Sequence, residues 1–174
     1  MGVSVMILGV KAFTPQLTAV KGKGEYQFKP GKNVTEKAKC ANTGFHLCED
    51  PLDCLDYYDW DGKNQFWAVA AGGDIDEDGH GTRISCTEIA LIRRITEEEF
   101  LLLHANYVMW HPAGHLDQNR GPFHIAYKGA PISGKLEDWL CSINGFDCVI
   151  AQVDGIKVFP DTRYTFAELK EAAK

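Results

Sequence analysis

The sequence has no apolar run of the roughly eighteen residues that a membrane-crossing helix needs. Its apolar opening, Val3–Val10, is far shorter and carries neither a basic leader nor a cleavage-site pattern. None of its six cysteines stands in a CxxC pair or another ligand spacing, so the familiar zinc frameworks are excluded. A GxSxG elbow, a Walker loop and a GxGxxG turn are all missing, which removes the common hydrolase and nucleotide-cradling signatures. Positive charge is scarce too: 18 Lys and Arg against 24 Asp and Glu give a formal net charge of −6. A chain with that balance does not grip phosphate backbones through bulk charge, so nucleic acid is not an expected partner. Internal repeats and low-complexity tracts are also absent.

What is present is an ordinary globular composition, 45% hydrophobic and 24% charged, in 174 residues. That length fits a single domain over residues 1–174, large enough to fold without staples. The cysteines sit in apolar contexts such as Ile84-Ser85-Cys86 and Phe146–Ile150, where a reduced thiol packs as a small hydrophobe. Reduced thiols point to the cytoplasm, and no membrane partner is expected.

Hydrophobic periodicity predicts strands at Val3–Phe13, Glu25–Phe28, Gly44–Cys48, Gln65–Ala71, Arg83–Ile95 and Gly145–Val153. Lys21–Gly24 alternates lysine and glycine and is expected to be mobile. Glu36–Ala41 reads as a helical turn. Asp50 caps a helix over Leu52–Tyr58 with Pro51 at its first position. Gly72–Gly81 reads as an acidic hairpin loop. Thr96–Glu99 and Thr165–Glu168 read as capping boxes opening helices over Phe100–Tyr107 and Phe166–Ala173. Trp110–His124 is expected to be a long loop, Gly134–Ile143 a helix, and Asp154-Gly155 a tight turn into a C-terminal strand Ile156–Phe159. The sum is an α+β fold, a mostly antiparallel sheet core with short inserted helices.

Several clusters carry candidate chemistry. His111 and His115 are four apart, but Pro112 and Gly114 argue against the helix that would align them, so no metal site is expected. Asp74, Asp76 and Asp78 followed by Gly79 resemble the start of a calcium loop. Ser85 stands where the bidentate glutamate belongs. Lys21/Lys23 and Arg93/Arg94 near Tyr26 and Phe28 form the only basic spots. Glu88, among apolar neighbours on a strand, would be a catalytic acid if buried and a plain surface group if solvent-facing.

Lys11-Ala12-Phe13, Tyr26–Gly31, Gly44–Asp53 with Tyr57-Tyr58, and Ser85–Ile89 resemble an uncharacterised family of small phage- and prophage-encoded domains, over roughly residues 8–100. Residues 101–174 would complete the same domain. More distantly, Gly44-Phe45-His46-Leu47, the helix behind it and Phe66–Ala71 are similar in order to the ADP-ribosyltransferase core, particularly its poly-ADP-ribose polymerase branch. That resemblance implies NAD as ligand, a ring on the second strand stacking on nicotinamide, and a glutamate stabilising an oxocarbenium-like transition state. His46 falls at the ring position. Lys11-Ala12 stands where histidine-glycine or arginine is expected, and Gly155 or Ile156 where the glutamate is expected.

Two functions follow as expectations. The first is a phage- or mobile-element accessory protein, without a cofactor and with a degenerate transferase-like pocket. It would bind a host protein and inhibit a host defence system through Trp60, Trp110 and Trp139 with His111 and His115. The second is a transferase-like enzyme or nucleotide-binding domain with His46, Tyr57 and Tyr58 at the ligand and His46, Glu88 or Lys11 as catalytic candidates.

Overall fold

A computed structural model describes residues 6–21 and 24–174. Val3–Val5 of the expected first strand, and Gly22 and Lys23 of the lysine-glycine stretch, lie outside the described residues. The fold is α+β and sheet-rich, with mostly antiparallel sheets and few short helices. None of the described helices is long and apolar enough to cross a membrane. The chain divides into two compact units, Met1–Thr96 and Glu97–Lys174.

The first unit is built on strands β1 (Ile7–Phe13), β4 (Gly31–Val34), β5 (Phe45–Cys48), β6 (Gln65–Glu77) and β7 (Arg83–Arg94). A small ribbon of β2 (Thr18–Ala19) and β3 (Tyr26–Gln27) stands beside them. Along the main sheet the order is β4-β7-β5-β1-β6, and β6 pairs with β7 as well, so four strands close into a ring. The long β6–β7 hairpin is the wall of that ring. β1 pairs along β6 from Ile7↔Ala71 to Phe13↔Gln65, whereas β1 meets β5 at one pair, Val10↔Cys48. Gly9 permits that approach: a Cβ there would lie 2.5 Å from the Cys48 carbonyl oxygen. Phe13, Phe45, Leu47, Val69, Ile84 and Ile89 fill the interior, all under 5% exposed.

Two expectations change here. Gly72–Gly81 is a loop only from Asp78 on, because β6 runs through its first part to Glu77; Gly73 takes φ +70° at a register shift between Gly72 and Ile75. Asp74 and Asp76 therefore lie on a bulged strand. Glu36–Ala41 forms no helix. Instead Lys39 and Thr43 exchange backbone hydrogen bonds of 3.0 and 2.8 Å across a tight turn.

The second unit carries α1 (Glu97–Trp110), whose first turn holds Glu97, Glu98 and Glu99, where negative charge complements the helix dipole. Its sheet runs β11-β10-β9-β8, from β8 (Gln118–Arg120), β9 (Phe123–Tyr127), β10 (Trp139–Asn144) and β11 (Asp147–Gln152). Only β9 and β10 run parallel. α2 (Phe166–Ala172) opens on the expected capping box, with both Thr165 and Glu168 arms formed.

Three expectations fail in this unit. Gly134–Ile143 is not a helix, because Trp139–Asn144 is a strand with Leu140, Cys141, Ser142 and Ile143 all buried, as an inner strand demands. The hairpin turn is at Gly145-Phe146, with Gly145 at φ +63°, and not at Asp154-Gly155. Asp154 Oδ1 instead accepts from the amides of Ile156, Lys157 and Val158, a side-chain-closed turn with no strand after it. Finally, Trp110–His124 is not one long loop, since it begins at the end of α1 and contains β8 and the start of β9.

Candidate functional site

Asp50 accepts a hydrogen bond from the Leu52 amide at 3.0 Å, and Pro51 takes the first helical position, as the sequence predicts. The helix that follows is a 3-10 helix, Pro51–Asp56, instead of an α-helix. Asp53 Oδ2 accepts from both the amide and the hydroxyl of Thr82 at 2.8 Å, while Thr82 Oγ1 accepts from the Asp50 amide at 2.9 Å. These bonds clamp the short helix to the start of β7, and Tyr57 and Tyr58 follow directly behind it.

A cleft of about 690 Å³ opens in the first unit where β1 and β5 part beyond their single pair. Its walls are Val10–Ala12 of β1, Phe45–Cys48 of β5, the β2–β3 ribbon, and Cys54, Tyr57 and Tyr58. His46, Tyr57, Tyr58 and Lys11, four residues singled out by sequence, meet in this one cleft. Its floor is aromatic. Tyr26 lies edge-on to Phe28 and Phe45 with centroids 4.6 and 4.8 Å away, and Phe13 and Phe45 are each 5.0 Å from Phe28.

Several polar groups of the cleft are held by hydrogen bonds. Lys11 is 7% exposed, and its ammonium donates to the His46 carbonyl oxygen at 2.6 Å, filling the place of a ladder bond that the parted strands lack. Burial pulls its pKa down from 10.5 to about 8. His46 Nε2 accepts from the Ala41 amide at 3.1 Å, so the ring is the neutral Nδ1–H tautomer. Burial, then the positive charges of Lys11 and Arg83, hold its pKa down at about 4. Tyr58 Oη accepts from the Val20 amide at 3.1 Å, and Arg83 donates to Tyr57 Oη at 3.0 Å while pairing with Asp78. Lys21 sits over the Tyr58 ring at 5.9 Å.

The remaining candidates lie elsewhere. Glu88 is outside the cleft; its side chain is 41% exposed and pairs with Lys32 at 2.8 Å, so it is a solvent-facing group. Gly155 and Ile156 belong to the second unit, in the turn closed by Asp154. Among the described residues, Glu25 is the one carboxylate lining the cleft. Trp60 is half-buried and stacks on Phe66 at 4.3 Å, which makes it a packing residue. Trp139 is half-buried in β10. Trp110 is 73% exposed and lies edge-on to Phe146, itself 80% exposed, at 6.4 Å. His111 stacks on Tyr107 at 4.2 Å and His115 on Tyr127 at 5.3 Å. No group of three or more His, Cys, Asp or Glu among the described residues is placed to hold a metal.

Sequence reading missed Arg83, Tyr26 and Phe28 as cleft residues. Tyr26 and Phe28 alternate on a short strand and carried a usable signal. Arg83 carried none, since only the closure of the ring brings the first residue of β7 beside Tyr57.

One comparison with known proteins gives a match. The model of a family described as a domain of unknown function (DUF7666) matches residues 7–103. No curated protein and no solved structure matches the chain.

Proposed function

Since the chain belongs to the DUF7666 family, a description that states no activity, we propose a function from the cleft itself: the first unit binds a small planar ligand of the nucleotide or NAD class. The observation that carries this reading is the convergence of Lys11, His46, Tyr57 and Tyr58 on one aromatic-floored cleft of about 690 Å³. That volume lies within the range of small-molecule sites, which are mostly apolar with a few converging polar groups. The reading draws on the distant similarity to the ADP-ribosyltransferase core, with His46 at the ring position. It favours binding over group transfer, because Glu88 lies outside the cleft and Glu25 is the single carboxylate lining it among the described residues. Equilibrium dialysis with NAD and with ADP-ribose tests it. Saturable binding that weakens at least tenfold in Tyr58→Ala supports the proposal. No binding of either compound at millimolar concentration refutes the nucleotide class.

A second reading is a phage- or mobile-element accessory protein that engages a host protein in the cytoplasm and inhibits a host defence system. The exposed edge-to-face pair of Trp110 and Phe146 favours it, because exposed aromatics of this kind anchor interfaces. Binding of NAD to the pure protein, set beside a pull-down from host lysate, separates the two readings. Saturable NAD binding lost in His46→Ala, with no host protein retained by the wild type, refutes the accessory-protein reading. A host protein co-purifying with the wild type, and lost in Trp110→Ala, supports it.

A further inference from the structure

The cleft contains a buried cation with no counter-ion among the described residues. The Lys11 ammonium has three N–H donors, and among the described residues it makes one hydrogen bond, to the His46 carbonyl, and no ion pair. The faces of Phe13 and Phe28 lie 5.4 and 5.3 Å from it. The titratable groups facing it are the thiols of Cys54 from the 3-10 helix, Cys48 from β5 and Cys86 from β7, together with the His46 ring. Hydrogen bonding to Cys48 and then burial hold the Cys54 thiol well above its ordinary pKa, and burial raises Cys86 to about 11, so both are neutral at pH 7. Across the ladder, β6 presents Trp67, which carries no charge.

Taking a charge out of water is unfavourable by several kcal/mol unless an opposite charge accompanies it. An apolar side chain of similar length would bridge the same gap between β1 and β5 without that penalty. Two N–H groups of Lys11 are left for a ligand, at the wall of a cleft large enough to admit one.

We propose that Lys11 is the anion-binding residue of this cleft, receiving the carboxylate or phosphate of a small planar molecule whose ring rests against Tyr26 and Phe28. The inference rests on the cleft being a ligand site and adds the class of ligand. The bound anion supplies the missing counter-ion, and the exposed Lys21 at the rim steers negative molecules inward.

Two pairs of probes differing in charge test it by calorimetry: nicotinate against nicotinamide, and AMP against adenosine. The anionic member of one pair is expected to bind at least tenfold more tightly than its neutral partner, and the pair that responds distinguishes carboxylate from phosphate. Lys11→Met is expected to remove that preference. The wild type alone gives a second readout that does not depend on a variant folding. Because Lys11 loses its proton near pH 8, affinity for the anion falls up to tenfold per pH unit above 8, whereas an ordinary lysine would hold it to about 10.5. Neutral members binding as tightly as anionic ones, a preference retained in Lys11→Met, or affinity flat to pH 10 overturns the role of Lys11 and leaves the cleft as a ligand site. Absence of binding by all four probes overturns both.

Discussion

Replacing Lys11 by methionine should make the protein more stable at neutral pH, which is unusual for a change at a position 7% exposed. The magnitude follows from the two states of the amine. In the unfolded chain it holds its proton up to 10.5, and in the folded chain to about 8. That difference disfavours the charged form by about 3 kcal/mol. The sign follows from proton binding: between pH 8 and 10.5 the unfolded state carries the extra proton, so stability rises with pH across that window. Below pH 8 the full penalty is present. Methionine removes the penalty but leaves the His46 carbonyl without its donor, a loss of about 1–2 kcal/mol. The variant should therefore gain about 1–2 kcal/mol at pH 7 and lose that advantage by pH 10, where the wild-type amine is neutral. Urea unfolding of both proteins at the two pH values, with thiols kept reduced, measures the crossover. A methionine variant less stable at pH 7 by the same margin as at pH 10 would show that Lys11 is a structural bridge with no uncompensated charge. A gain at pH 7 joined to loss of ligand would mark a residue retained for binding at the expense of stability.

The His46 ring gives an acid-side counterpart. Its pKa falls from 6.5 to about 4, so the stability tied to the neutral ring is fully present above 6.5 and is lost as pH drops toward 4. Because the ring is only half-buried, the loss is about 1–2 kcal/mol after solvent screening, and nitrogen NMR should still find the Nδ1–H tautomer at pH 5. Titration near 6.5 would refute that assignment. Two glycines with positive φ should differ sharply when replaced by alanine. At Gly44, φ +91°, the new Cβ would meet Ser85 Oγ at 2.5 Å and Ala38 Cα at 2.9 Å, so the loss should reach about 3 kcal/mol or more. At Gly145, φ +63°, no atom lies within 4 Å and only backbone strain of about 1 kcal/mol remains. Equal melting temperatures for the two variants would refute the close packing at Gly44.

The parts of this fold legible in the sequence are those whose signals are local. The N-cap Asp50, Pro51 and the capping box at Thr165 are each written within four residues, and each forms. The strand Phe45–Cys48 and the cleft position of His46, Tyr57 and Tyr58 follow from the same short segment. The misreadings arise where partners are distant or signals compete. Trp139–Ile143 has a composition that suits a helix or a strand, and only pairing with β9 and β11 decides it. Gly145 and Gly155 each mark a turn locally, and the hairpin forms at Gly145-Phe146 because strands flank it on both sides. Glycines at 72 and 73 signal a turn locally, but the register shift against β7 absorbs them. Lys11 is the instructive case. Alternation along β1 places it on the face of Phe13 and Ile7, and nothing short of ring closure explains a lysine there.

The lone Val10↔Cys48 pair also bears on how the chain assembles. β1 is synthesised first, yet its extended partner β6 begins at Gln65, more than fifty residues later. β6 and β7, by contrast, are joined by a short turn and can zip locally. On a ribosome the first strand therefore waits with both edges open until most of the unit has emerged, a state in which unpaired strands are prone to wrong partners. The β1–β5 seam has the least backbone pairing to hold it closed. A molecule bound in the cleft beside that seam would favour its closed form, and so act on the folding equilibrium as well as on the finished protein.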